Sequence, residues 1–218
     1  MISISKLKEK AMRKSREEKL VHFYSLCSEG MTVLDVGVSS ESGTGMPARN
    51  YFLKNFKYDS KFYTGLGIQD LNGMDDLFPG KRFVQYGGGK FPFGDNEFDW
   101  VFSNAVVEHV GNDEAQLLFI NEMLRVARNV FFTTPNKYFP IEAHTNIFFL
   151  HWNNSIFYSW CKKYKKWVTK DNLYLLSERR LRRLMDLSNA TTYNVQRNHL
   201  LSLVMTYTVI CTKSETRL

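Results

Sequence analysis

The 218-residue chain is 44% hydrophobic and 23% charged, a balance that excludes global disorder and allows one domain with a full core. No window approaches the roughly 18 apolar residues of a membrane span, and the first residues lack a signal-peptide apolar core, so a cytoplasmic protein is expected. A net charge of +7 leaves acidic partners open; Cys27, Cys161 and Cys211 form no Cys-x-x-Cys pair, no histidines cluster at ligand spacing, and a reducing compartment without a structural metal is expected.

From Leu7 to Leu26, lysines and arginines alternate with glutamates while Leu20, Phe23 and Leu26 keep helical spacing. Residues 1–29 therefore read as a helical arm or lid with a charged outer face, stopped by Gly30. Residues 30–218 form the main domain.

The stretch Val33-Leu34-Asp35-Val36-Gly37 is near-continuously apolar, as in a strand buried on both faces, and Ser39, Ser40, Gly43 and Gly45 follow as a loop. A helix opening near Pro47 would direct free N–H groups at a nucleotide-type ligand, although the glycine spacing fits a plain strand-to-helix turn as well. Ala48 to Phe56 reads as helix and Phe62 to Ile68 as the second strand, giving a right-handed β-α-β unit. Asp70 stands where a carboxylate would meet ribose hydroxyls, with Gln69 as a substitute acceptor; a turn cap before Leu71 is the other reading.

A short strand at Phe83 to Tyr86 leads into Gly87-Gly88-Gly89, then Phe98 to Phe102 forms a fourth strand ending at Ser103-Asn104, and Glu114 to Ala127 a helix. In the tail, Thr191 to Asn198 and Leu203 to Thr212 alternate as an antiparallel hairpin. The run Arg179 to Arg183 reads as an exposed helix face capped by Ser177, without the second basic stripe a nucleic-acid site would need.

The run from Phe93 through Phe98-Asp99-Trp100-Val101-Phe102-Ser103-Asn104 to Glu108-His109-Val110 resembles the fourth-strand region of class I S-adenosylmethionine-dependent methyltransferases of the type 11 group. Val33 to Gly37 is similar to their first motif, and Phe131-Phe132-Thr133-Thr134-Pro135-Asn136 to a subset whose fifth strand ends in a Thr-Pro-Asn turn. The resemblance covers about residues 30 to 150 and implies an α/β, Rossmann-like, seven-stranded sheet, mostly parallel, with an antiparallel C-terminal hairpin and helices on both faces.

It further implies S-adenosylmethionine as cofactor, with Asp35, Gly37 and Ser39 by its methionine end, Asp70 at the ribose, Gly88 and Phe91 at the adenine, and Asn104 near the sulfur. Gly67 and Gly87 stand where relatives carry acids, which leaves a non-catalytic binding or scaffold protein as the alternative to an enzyme. A nicotinamide-dependent reductase is disfavoured by the glycine spacing.

Methyl transfer to a hydroxyl needs an in-line acceptor and a base, and His109, then His144, are the candidates, each with a loop-tying role as the plainer reading. Glu108 reads as a helix-terminal acid. The resemblance also implies that residues 144–176, after the fifth strand, are an aromatic lid over a small-molecule substrate; their tryptophans and tyrosines beside lysines suit a sugar, nucleobase or isoprenoid, a lipid-linked substrate or a membrane interface, as well as simple core packing.

Overall fold

The structure, a computed structural model, describes residues 4–41 and 49–212, with side chains from residue 10 onward. Gly43, Gly45, Pro47 and Ala48, including the helix start expected there, lie outside the described residues.

Seven strands form one sheet: β1 (Val33–Val36), β2 (Tyr63–Gly67), β3 (Arg82–Gln85), β4 (Phe98–Asn104), β5 (Ala127–Pro135), β6 (Tyr193–Leu200) and β7 (Leu203–Thr212). Their order is β3-β2-β1-β4-β5-β7-β6. The first five run parallel, and β7 enters antiparallel between β5 and the edge strand β6. The expected hairpin is thus present, its second strand rather than its first joining the parallel body. The order reverses beside β1, between β2 and β4, and such switch points open the ligand crevice of parallel sheets at the strands' carboxyl ends.

Alternation along the central strands sends side chains to two cores. On one face Leu34, Val36, Val101, Val130 and Phe132 pack against Phe119, Ile120 and Met123 of helix α4 (Asp113–Val126) and Leu181, Leu184 and Met185 of a later helix, Glu178–Leu187. On the other, Val33, Tyr63, Trp100, Phe102 and Phe131 meet Leu20, Phe23 and Cys27, from the N-terminal helix α1 (Ile4–Leu26) and its exit, and Phe52 and Leu53 of the short α2 (Tyr51–Lys54). Phe23 is the hub, making edge contacts with Phe52, Trp100, Phe102 and Phe131. Each such pair adds roughly 1 kcal/mol beyond its burial, so α1 is an integral layer of the domain.

That layer corrects one expectation. Lys19, one of the lysines assigned to the charged outer face, is buried, as is its neighbour on the helix Ser15. The third helix, α3 (Met74–Leu77), is a single turn before β3. Residues 144–176 fold around a small core of their own, Phe157, Cys161, Val168, Leu173 and Leu175, built on helix α5 (Asn154–Tyr164). The aromatic residues are therefore split: Phe157 packs inside, while Phe148, Phe149, Trp152, Tyr164 and Trp167 stay exposed.

Helix α6 (Glu178–Leu187) carries the arginine run, capped by Ser177 as expected. Arg180 leaves the exposed face, however. Its guanidinium lies 3.6 Å from the Tyr174 ring centroid and donates to Asp113, Gln116 and the Leu175 carbonyl, fastening the insertion to α4. The three cysteines are buried and unpaired.

Candidate functional site

Gly37, Ser39, Asp70, Asn104, His109 and His144 lie at or just beyond the carboxyl ends of β1, β2, β4 and β5. Gly37 ends β1 with φ +107°, and its N–H, like that of Val38, donates to the Leu66 carbonyl. A Cβ there would lie 2.4 Å from Val106 Cγ2, so glycine is needed to let the post-β4 turn approach β1. Beyond it, Ser39 is held at both backbone groups by the Asn50 amide, and the Ser40 N–H donates to Gln69 Oε1.

The missing acid at the end of β2 has a geometric cause. A Cβ on Gly67 would stand 2.1 Å from the Val38 carbonyl oxygen, because the chain leaving β1 crosses over this point. No larger residue fits without moving backbone. Gly87, by contrast, has nothing within 4 Å of the place a Cβ would occupy, and Gly88 (φ +90°) is equally open.

Asp35 projects into the α1/α2 side rather than over the edge. It is buried, accepts a 2.6 Å hydrogen bond from the Tyr63 hydroxyl, and burial pushes its pKa up to about 7 against that bond. Two other expected cofactor residues serve the fold. Phe91 is buried between Tyr86 and Phe119, because its N–H is clamped by Glu122 and the ring has only the core to enter. Asp70 is an exposed turn cap, accepting from the Asn72 N–H.

Asn104 closes β4. Its Oδ1 accepts from Thr133 Oγ1 at 2.8 Å and from Lys19 Nζ at 3.5 Å. Burial lowers the Lys19 pKa to about 8, with the charge of Glu108 opposing the shift.

The two candidate bases meet. His109 comes from the 3-10 turn after β4 (Val107–His109) and His144 from the loop after β5, and their Nε2 atoms are 3.0 Å apart. His109 Nδ1 donates to the Asn172 carbonyl at 2.8 Å, and His144 Nδ1 to Glu142 Oε1 at 2.6 Å. Burial works against the Glu142 charge, but hydrogen bonds from His144 and Thr145 outweigh it and hold the pKa down to about 2. The insertion reaches back here, since the Tyr174 N–H donates to the Glu108 carbonyl.

Glu108 stands in the first turn of that 3-10 helix, as its sequence reading expects, and it is also fully buried, with Oε2 accepting from Thr134 Oγ1. Glu108, His109 and His144 present ligand-type atoms within 4.8 Å of one another, a cluster that linear spacing hid because 35 residues separate the histidines. Glu142 was also missed; its only sequence signal is the Glu-Ala-His-Thr segment itself.

Residues 34–130 match the family model described as a methyltransferase domain. No curated protein sequence matches the chain. Solved structures match its fold. A SAM-dependent methyltransferase from Methanosarcina mazei aligns over 89% of this chain and 96% of its own at TM-score 0.56 and 14% identity. Magnesium protoporphyrin IX methyltransferase from Synechocystis, with bound SAH, covers 98% and 89% at TM-score 0.55 and 9% identity. The 1,6-didemethyltoxoflavin-N1-methyltransferase of Burkholderia thailandensis, with that compound and S-adenosylhomocysteine bound, covers 94% and 79% at TM-score 0.53 and 16% identity. Residues 34–130 thus match a methyltransferase domain, and the described chain has the Rossmann-like fold of these solved methyltransferases.

Proposed function

We propose that the chain transfers a methyl group from S-adenosylmethionine to a hydroxyl oxygen of a small-molecule acceptor. The observation that carries this reading is the meeting of His109 and His144, from the loops after β4 and β5, on the same carboxyl edge as Gly37 and Asn104. Open α/β sheets bind their ligands at this edge, and the matched segment brings with it a sulfonium donor. Ser39 and the Gly37 turn lie where its methionine end would rest, Gly88 offers unobstructed backbone to the adenine, and Asn104 stands beside the reacting centre.

In that arrangement the acceptor hydroxyl loses its proton at the histidine pair while its oxygen attacks the methyl carbon. The C–S bond breaks with its electron pair passing to sulfur, leaving S-adenosylhomocysteine. Holding the two reactants in line accounts for much of the rate, and the proton transfer for another factor of roughly 10²–10⁴. The exposed aromatic and lysine side chains of residues 144–176 suit an acceptor with a flat or apolar body.

Incubating cell extracts with protein and isotope-labelled S-adenosylmethionine, followed by untargeted mass spectrometry, tests this directly. An acid-stable O-methylated product formed by the wild-type chain and lost in His109→Ala is expected. A labelled product formed equally well by His109→Ala removes the histidine pair from the mechanism.

A further inference from the structure

We propose that Glu108, His109 and His144 bind a divalent transition-metal cation of the zinc class, which takes up the acceptor oxygen. The proton inventory leads there. The Asn172 carbonyl only accepts, so His109 Nδ1 carries hydrogen, and in the neutral ring its Nε2 carries a lone pair. Glu142 takes four donors on its two oxygens, the N–H and Nδ1 of His144 and the N–H and hydroxyl of Thr145, so it is a carboxylate and His144 Nδ1 carries hydrogen too. With both Nδ1 atoms protonated, two neutral rings would set two lone pairs against each other across 3.0 Å. That geometry is stable only around a positive centre, either one proton shared by the two nitrogens or a metal ion, and the buried third ligand beside them favours the ion.

A cation suits the distances. Two nitrogens about 2.0–2.1 Å from a common ion are about 2.9 Å apart at a right angle and about 3.4 Å at the tetrahedral angle, which brackets the separation found. The rings stand nearly perpendicular, at 86°, with centroids 4.7 Å apart, closer than head-on imidazoles would be, so the Nε2 directions converge to one side. Glu108 supplies the third ligand: it is fully buried, and its Oε1 has no hydrogen-bond partner. A buried carboxylate oxygen without a partner is costly unless an ion completes it. Each ligand also has an outer partner that fixes its orientation, Asn172 for His109, Glu142 for His144 and Thr134 for Glu108, as metal sites require.

Two imidazoles and one carboxylate are the donor set of open, catalytic zinc sites, which leave a vertex for an exogenous oxygen. An acceptor hydroxyl on that vertex has a lowered pKa and releases its proton to water, which replaces proton transfer to the histidine pair, now occupied as ligands; the attack on the methyl carbon is as already described. This refines the proposed function, on which the catalytic role rests; binding of the cation itself does not depend on it.

The test uses the full chain without an affinity tag, stripped with a chelator and titrated with Zn2+ by calorimetry, then with Co2+ by visible spectroscopy. One equivalent of Zn2+ bound at micromolar Kd or tighter, and Co2+ bands typical of nitrogen and oxygen ligands, are expected. Glu108→Gln and His144→Gln should each weaken Zn2+ binding by at least about tenfold while the circular dichroism spectrum stays that of the wild type. Absence of stoichiometric binding to folded wild-type chain overturns the proposal, as does Zn2+ affinity unchanged in both variants. Zn2+ bound without any S-adenosylmethionine binding upholds the metal site and removes the transferase reading; the reverse result removes the metal site alone.

Discussion

Replacing Asp35 with asparagine should abolish a pH dependence of stability that has one identifiable source. The carboxyl is buried beneath the first strand with the Tyr63 hydroxyl as its partner, and its pKa stands near 7 instead of 3.8. A folded-state pKa above the unfolded one means that the native chain holds the proton more tightly. The associated stability is complete below about pH 4 and is lost as pH rises toward about 7. The displacement is about three pKa units, so at 1.36 kcal/mol per unit the loss is about 4 kcal/mol. The neutral carboxamide of Asp35→Asn would resemble the protonated acid at every pH. Urea unfolding of both proteins between pH 4 and 8 gives a difference curve from which the other titrating groups cancel. It should slope through this window and level off above pH 7, with Asp35→Asn the more stable by a few kcal/mol at pH 8. A level difference curve would refute the burial argument and place the carboxylate in contact with water.

Gly67→Ala should cost more than about 2 kcal/mol, because its new carbon meets a backbone oxygen that cannot rotate away, whereas Gly87→Ala should stay within about 0.5 kcal/mol; thermal denaturation of the pair checks this contrast. Gly37→Ala strains both φ and the Val106 contact, and if the contact matters then Val106→Ala in the same chain should restore part of the lost melting temperature. Arg180→Ala should cost about 2 kcal/mol and expose the bonds of residues 144–176 to limited proteolysis, while Arg182→Ala, at the exposed Glu178 pair, should leave the digestion pattern unchanged. His109→Ala should lower turnover far more than affinity for S-adenosylmethionine, measured as kcat against Kd.

The fold was largely legible because its signals are local. Val33 to Val36 and Phe98 to Phe102 are apolar on both faces, as strands covered by helices must be, and the alternating tail announced its hairpin. What pattern could not supply was partner choice across long separations. Lys19 looks like any surface lysine until Asn104, 85 residues away, and Glu108 are brought beside it. Phe91 fell at the adenine position by alignment of motifs, yet the Glu122 clamp on its N–H decides where the ring goes. Glu108 beside a helix start satisfied a sufficient local explanation, and only tertiary burial shows that the explanation was incomplete. Gly67 likewise read as a degenerate site, where the three-dimensional reason is a chain crossing overhead.

The central claim is that the carboxyl edge around Gly37 and Asn104 holds a sulfonium donor, and calorimetric titration of the purified chain tests it most directly. Micromolar binding of S-adenosylmethionine and S-adenosylhomocysteine, with none of NADH, is the predicted result. Failure of both to bind to folded protein, or binding of NADH alone, would contradict it.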